Sequence, residues 1–390
     1  MTDRTLVPQT AAEAAASLQA CANERTSLAF EGGGTHTIGR RDRDGVVLST
    51  RGLRRIVEYV PEDQTVTVEA GVTFAELSRV LAERGQRLAV DVAEPDRSTI
   101  GGAIAANAFG PRRMRFGSFK DLILGVGLVR ADGVPVRAGG KVVKNVAGFD
   151  LSKLMVGSHG TLALVTSATL RVHPLPQATR AVRLTGLAPD AVWELVLEMR
   201  SRHLEPVAVS ALGRASASSR YDADVALEGF PAGVDSQTAC VFEIARERGW
   251  SVEAVDPASA RDGDARARTA GPLRVRGTVL PSDFAAIDAL AIAPLAACLD
   301  DPSVCAYPAL GIFFVAGKPK MPQRAFDAVA NARACIESGG GSLVVEDAPR
   351  MPAEIEPWGT PPPSIRLMRE IKARFDPEGR IRSGAFVGGL

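Results

Sequence analysis

The rhythm of hydrophobic and polar positions changes three times along the chain. Residues 11–22 are Ala-rich, with apolar side chains at helical spacing, and predict a helix. From Leu28 to about His173, short Val-rich runs alternate with glycine turns, the pattern of strands in one dense domain. Within it, residues 65–70 alternate as a strand does, and residues 122–129 form the continuous apolar run of a buried strand. Thr73 stands where a helix over 74–84 needs its N-cap. Residues 161–172 close the block.

Pro174 and Pro176 mark a linker, and beyond it the order β-α-β-β-α-β is read twice. The first copy has strands at 181–184, 206–212, 224–228 and 251–255, with helices at 190–202 and 236–248. The second has strands at 273–280, 303–308, 311–316 and 342–346, with helices at 282–295 and 323–337. Each copy is a split-βαβ pattern, which predicts a ferredoxin-like sheet with its helices on one face. After Pro361, Pro362 and Pro363, a last helix over 364–375 leads into a Gly-rich tail. The domain boundaries expected are 1–27 for an N-terminal helical segment, 28–175 for the Gly-rich domain, 178–350 for the doubled unit and 351–390 for a segment returning to the second of these.

Bulk properties narrow the function classes. At 390 residues the chain exceeds what one core usually serves. Its 46 basic and 45 acidic side chains leave a net charge of +1, which is no footprint for nucleic acid or for an anionic membrane. The longest apolar stretch, 289–299, is broken by Pro294 and too short to cross a bilayer, and Asp3, Arg4 and Glu13 stand where a signal peptide would be apolar. A cytoplasmic protein without direct membrane insertion is expected. The five cysteines, Cys21, Cys240, Cys298, Cys305 and Cys335, form no C-x-x-C pair, so neither a disulfide framework nor an iron-sulfur or zinc site is expected from them.

Three segments carry candidate chemistry. In Glu31-Gly32-Gly33-Gly34-Thr35-His36, successive glycines let the backbone approach a ligand and turn N–H groups toward an anion such as a pyrophosphate; an ordinary tight turn is the alternative. Pro95, followed by Ser98 to Asn107, joins a hydroxyl pair to small residues against which a flat ring system can lie; a helix start packed on a strand is the alternative. The run Lys141 to Leu151 leads into Leu154 to Leu162, with more glycine than one turn needs. Neither G-x-G-x-x-G after a strand nor G-x-x-x-x-G-K-[ST] occurs, which argues against a Rossmann or P-loop site.

Read in this order and spacing, the segments from Gly32 to Pro174 resemble the FAD-binding domain of the vanillyl-alcohol oxidase/PCMH flavoprotein superfamily, and more closely the accessory (E-type) FAD-binding subunits of bacterial glycolate oxidases. The likeness returns at Pro357-Trp358-Gly359-Thr360-Pro361, at Leu367-Met368-Arg369, at Lys372 through Gly379 and at Gly384-Ala385-Phe386. It implies an α+β fold: a PCMH-type two-subdomain FAD-binding fold, a ferredoxin-like doubled split-βαβ cap and a C-terminal helix. It implies noncovalent FAD, with a pyrophosphate cradle at Gly32, Gly33, Gly34 and Thr35, ring and ribityl contacts from Pro95, Thr99, Ile100, Gly101, Gly102 and Asn107, and further contacts from Arg115, Gly117, Gly157, Gly160 and Val165. Some superfamily members attach FAD through a His directly after the first glycine pair; here Gly34 and Thr35 intervene, so His36 is expected to lie outside such a bond. His159 and His173 read as structural. Glu31, Ser383 and Val165-Thr166-Ser167 depart from the usual family text.

Oxidation of a 2-hydroxy acid needs a cation for the carboxylate and a base for the hydroxyl proton. Catalytic members of the superfamily supply cap histidines, and this chain has none after His203. The resemblance therefore implies an accessory role beside a catalytic FAD-containing sister subunit and an iron-sulfur subunit, acting on a small 2-hydroxy acid such as glycolate, in the cytoplasm or peripheral at the inner membrane through the complex. A self-sufficient FAD-dependent dehydrogenase and a flavin-free scaffold are the other readings; the catalytic residues are unassigned.

Overall fold

The computed structural model describes residues 4–36, 38, 45–141, 150–214, 219–348, 355–381 and 386–390. Val142 to Phe149 of the third motif, together with Ser383, Gly384 and Ala385, lie outside the described residues. The chain divides into two compact units: residues 1–110, 116–175 and 361–390 form one, and 111–115 with 176–360 the other.

The first unit opens with β1 (Arg4–Leu6), α1 (Ala11–Asn23), β2 (Leu28–Glu31) and β3 (Val46–Ser49). β4 (Ile56–Val60), β5 (Thr65–Glu69), α2 (Phe74–Ala82), β6 (Gln86–Arg87) and α3 (Ile100–Ala106) follow. The chain passes through α4 (Arg113–Phe116), whose residues 113–115 belong to the second unit, and the first unit resumes with α5 (Phe119–Leu122), β7 (Ile123–Val129), β8 (Pro135–Gly139), α6 (Leu151–Met155), β9 (Leu164–Arg171) and β10 (His173–Pro174). Local chemistry sets several ends. Thr10 caps α1 by accepting from the Glu13 N–H, and Thr73 with Glu76 makes a reciprocal capping box that starts α2. Alternation in β5 buries Val66 and Val68.

These strands form two principal sheets. β1, β3 and β2 are parallel in the order β1-β3-β2, and Ile381 makes a parallel bridge to Leu28 on β2. Leu18, Leu28, Leu48, Val129 and Ile381 fill the core beneath α1. The second sheet is antiparallel in the order β4-β5-β9-β7-β8, and its core includes Val66, Leu77, Ile100, Ile104, Phe119 and Leu170.

The second unit contains β11 (Ala178–Leu187), α7 (Pro189–Ser201), β12 (Ala208–Arg214), β13 (Arg220–Gly229), α8 (Pro231–Arg248) and β14 (Ser251–Val255). Next come α9 (Pro257–Thr269), β15 (Leu273–Thr278), α10 (Phe284–Ile287), α11 (Ala293–Ala297), β16 (Leu299–Tyr307), β17 (Ile312–Pro319), α12 (Pro322–Ser338) and β18 (Ser342–Asp347). The chain then returns to the first unit with α13 (Ile365–Phe375). One sheet runs β14-β11-β13-β12-β16-β17-β15-β18. Its two halves have the same split-βαβ order and meet where β12 pairs with β16, Ala211 opposite Ala306. The α+β class and the doubled ferredoxin-like sheet expected from the pattern are what is observed.

Two expectations for this unit are corrected. α9 sits between the repeats, in a stretch with no helical hydrophobic period, and it lies on the face opposite the other helices. Val304, Ala306, Phe313 and Val315 face the main core, whereas Cys305, Tyr307 and Phe314, one residue out of step, meet Asp264 and Arg268 of α9. The helix expected over 282–295 is divided by a π-helical stretch at Asp288–Ile292, where the buried Asp288 carboxylate accepts from the Tyr221 hydroxyl.

Candidate functional site

At the C-terminal end of β2, the first unit opens into a cleft of about 690 Å3, counted out to solvent. Phe30 through His36 form one side, Thr99, Gly101, Gly102, Ala105 and Ala106 a second, and His159, Gly160 and Ala163 to Val165 a third, with Thr50 completing the lining.

The glycine turn is pressed directly onto the segment before α3. A Cβ on Gly33 would stand 1.8 Å from the Arg97 carbonyl oxygen, and one on Gly32 would stand 2.1 Å from Thr99 Oγ1. Only glycine permits that approach. The Thr99 hydroxyl lies between Gly32 and Gly102 and accepts from the Gly102 N–H at 3.3 Å, capping α3. Arg51, just past β3, donates from Nε to the Gly32 carbonyl at 3.0 Å and from Nη2 to the Gly33 carbonyl at 3.3 Å. The two carbonyls thus engage a guanidinium. Among the described residues, no backbone carbonyl accepts from the N–H groups of Gly33 and Gly34.

The third side is knitted to the end of α3. Gly157 N–H donates to the Ile104 carbonyl at 3.1 Å and His159 N–H to the Ala105 carbonyl at 2.9 Å, satisfying carbonyls that a helix end leaves open. Asn107 takes the left-handed conformation at the C-cap, with φ 49°. Among the described residues, Ser98 Oγ, Asn107 Oδ1 and Ser158 Oγ are buried without a hydrogen-bond partner. Each neighbours a lining residue in sequence. Polar atoms left so are costly unless a ligand or water meets them.

The sequence-derived residues divide. Gly32, Gly33, Gly34, Thr35, Thr99, Gly101, Gly102, Gly160 and Val165 line the cleft. Ile100 is in the core behind α3, Asn107 and Gly157 stand behind the wall, and the Pro95 carbonyl accepts from the Ala75 N–H. Gly117 packs on Asp121, and Arg115 pairs with Glu205 at 3.0 Å in the second unit. His159, read as structural, lines the cleft with φ 50°, its ring 5.5 Å from that of Phe386. His36 also lines it, with Nδ1 2.9 Å from Thr35 Oγ1. Arg51 was missed: its sequence neighbours carry no motif, and it acts on a turn 18 residues away.

What the arrangement can hold is an extended ligand with an anionic centre over the glycine turn and a flat part against the Gly101-to-Ala106 face. N–H groups that no backbone carbonyl accepts and a cation one peptide away fit the diphosphate of a dinucleotide cofactor.

Comparison with known proteins agrees with that chemistry. Residues 2–139 match the FAD binding domain family model. The glycolate oxidase subunit GlcD of Bacillus subtilis (strain 168) is 31% identical over 214 residues, 54% of this chain and 46% of the relative. The glycolate oxidase subunit GlcE of Escherichia coli (strain K12) is 33% identical over 191 residues, 49% of this chain and 53% of the relative. The chain spans about half the length of these relatives. Among solved structures, an alkyldihydroxyacetonephosphate synthase superposes with a TM-score of 0.72 over 96% of this chain and 76% of that one, at 16% identity, a likeness of fold.

Proposed function

We propose that this chain belongs to the PCMH-type FAD-binding superfamily, holds FAD noncovalently in the cleft of its first unit and serves as the accessory FAD-binding subunit of a 2-hydroxy-acid-oxidising complex of the glycolate oxidase type. The observation that carries the reading is the closure of Gly32 and Gly33 onto Arg97 and Thr99, which leaves backbone N–H groups for a pyrophosphate. Thr35 adds a hydroxyl beside them, Arg51 a positive field, and Gly101, Gly102, Ala105 and Ala106 a smooth apolar face that excludes water from a ring. Bound there, FAD supplies a two-electron acceptor.

The accessory role follows from what the cap contains. No histidine occurs after His203, so a base of the kind that catalytic superfamily members place there is missing from the second repeat and the tail. Substrate oxidation then belongs to a sister subunit with its own FAD. An iron-sulfur partner receives the electrons, because the five separated cysteines lack the spacing of a cluster motif. GlcD and GlcE, both named as glycolate oxidase subunits, support the assignment to such a complex. Among the described residues no helix is long and apolar enough to cross a membrane.

A second reading has its own support: His36 and His159 both face the cleft, and either would give a self-sufficient dehydrogenase its base. One experiment separates the two. The purified full chain is treated with acid to release flavin, and a second sample is mixed with glycolate without oxygen. Releasable FAD that stays oxidised until the partner subunits are added is the expected result. Bleaching by glycolate alone makes this chain the catalyst and overturns the accessory role.

A further inference from the structure

The motif from Lys372 to Gly379 lies outside the cleft lining, and the reading above leaves it without a task. Its lysine, on α13, is buried, and the ammonium donates three hydrogen bonds: to Asp376 Oδ2 at 2.6 Å, to the Thr161 carbonyl at 2.8 Å and to the Ile381 carbonyl at 2.8 Å. Three donors meet three acceptors, so the group is saturated and its geometry fixed.

The acceptors belong to three different pieces of the first unit. Thr161 follows Gly160 of the cleft wall, and its hydroxyl donates to the Ser158 carbonyl at 2.7 Å, closing the turn that carries His159 and Gly160. Ile381 bridges to Leu28, and the Leu28 N–H donates to the Arg380 carbonyl at 2.7 Å. Leu28 opens β2, which runs directly into Glu31 and the glycine turn. Asp376 accepts from the N–H groups of Arg380 at 3.0 Å and Ile381 at 2.7 Å, so the carboxylate fixes the strand that the lysine holds. Arg380 Nη2 reaches the Ala131 carbonyl at 2.8 Å.

Burying an ion pair gives little net stability compared with apolar residues of the same size, and burial pulls the Lys372 pKa below its ordinary value against the pull of Asp376. A charge at this junction is explained by geometry: an apolar side chain fills space but cannot fix the Thr161 and Ile381 carbonyls, one next to the cleft wall and one bridged to β2, at one point.

We propose that Lys372 is a positioning residue for the flavin, tying the Ser158-to-Thr161 turn to the strand that carries the glycine turn, so that two walls of the cleft and the C-terminal segment respond as one unit. The proposal rests on the cleft being the flavin site. Coupling is reciprocal: a ligand that orders the walls also orders the segment, and loosening the segment weakens the ligand.

The test is amide hydrogen exchange on the full chain with and without FAD, followed residue by residue. FAD slows exchange in the turn at 158–161, and the clamp requires that it also slow the Arg380 and Ile381 amides by roughly tenfold more than those of α2, which lies in the same unit outside the lining. A paired variant, Lys372→Met with Asp376→Leu, removes both charges while keeping the site filled. It is expected to weaken FAD binding about tenfold and alter the visible circular dichroism of the flavin. FAD uptake that protects the cleft lining but leaves Arg380 and Ile381 at the level of α2 overturns the clamp while keeping the flavin site. Failure of the chain to take up FAD overturns the site reading, and the clamp falls with it. A wild-type affinity and spectrum in the folded paired variant also overturn the clamp.

Discussion

The two units each bury polar side chains, and they do so in different settings. In the second unit, Asp264 accepts from the Tyr307 hydroxyl at 3.1 Å and the Cys305 thiol at 3.0 Å, while Arg268 reaches Tyr307 at 3.1 Å and stacks over Phe314. Burial pushes the Cys305 thiol and the Tyr307 phenol well above their ordinary pKa values, so both remain neutral donors. In the first unit, Ser98, Asn107 and Ser158 keep buried oxygen atoms without a partner among the described residues, close to a glycine turn whose Gly33 and Gly34 N–H groups no backbone carbonyl accepts. A buried network whose hydrogen bonds run between α9 and two strands ties one fold together; buried oxygens next to a cleft leave their wall less fully bonded.

The sharpest way to test this contrast is to remove a charge from the network of the second unit. Arg268→Met leaves the Asp264 carboxylate buried beside neutral groups, and a denaturant melt should show a loss of about 3–5 kcal/mol. Flavin affinity, set in the other unit, should stay unchanged in the folded fraction. A smaller change at the cleft should do the reverse. Gly33→Ala places a methyl group within 1.8 Å of the Arg97 carbonyl oxygen and forces the turn outward. Fluorescence titration should show FAD binding weakened roughly hundredfold, about 2.7 kcal/mol.

The smallest effect expected is a pH dependence confined to the first unit. Burial, reinforced by Arg171 and Arg87, holds the His173 pKa below its ordinary 6.5. The unfolded chain takes up that proton more readily. Stability is therefore intact above about pH 6.5 and declines as pH falls through the folded-state pKa. Thermal melts at about pH 5 and 7.5 should differ in the transition of this unit, and His173→Gln should flatten the difference.

The legibility of the sequence follows the range of the interactions. The α2 start was readable because Thr73 and Glu76, three residues apart, complete their capping box locally. The doubled sheet was readable because its strands alternate and its helices keep their period. α9 was not, because it has no stripe of large apolar residues and is held by bonds from Asp264 to residues more than 40 positions away. α8 begins at Pro231 rather than near 236, since proline is accommodated in a first helical turn. At the site, glycines and small residues announced a close approach, but Arg51, His159 and the Lys372 junction depend on pairings that fold alone creates.

The proposed flavin site is the cleft between the glycine turn and α3. Ala106→Phe tests it most directly, because Ala106 lines the cleft on the α3 side and a larger ring there occupies the space of the ligand. The account predicts an apoprotein that melts close to the wild type and takes up FAD at least about a hundredfold more weakly in a titration. Uptake with wild-type affinity by the folded variant would contradict it and move the flavin elsewhere.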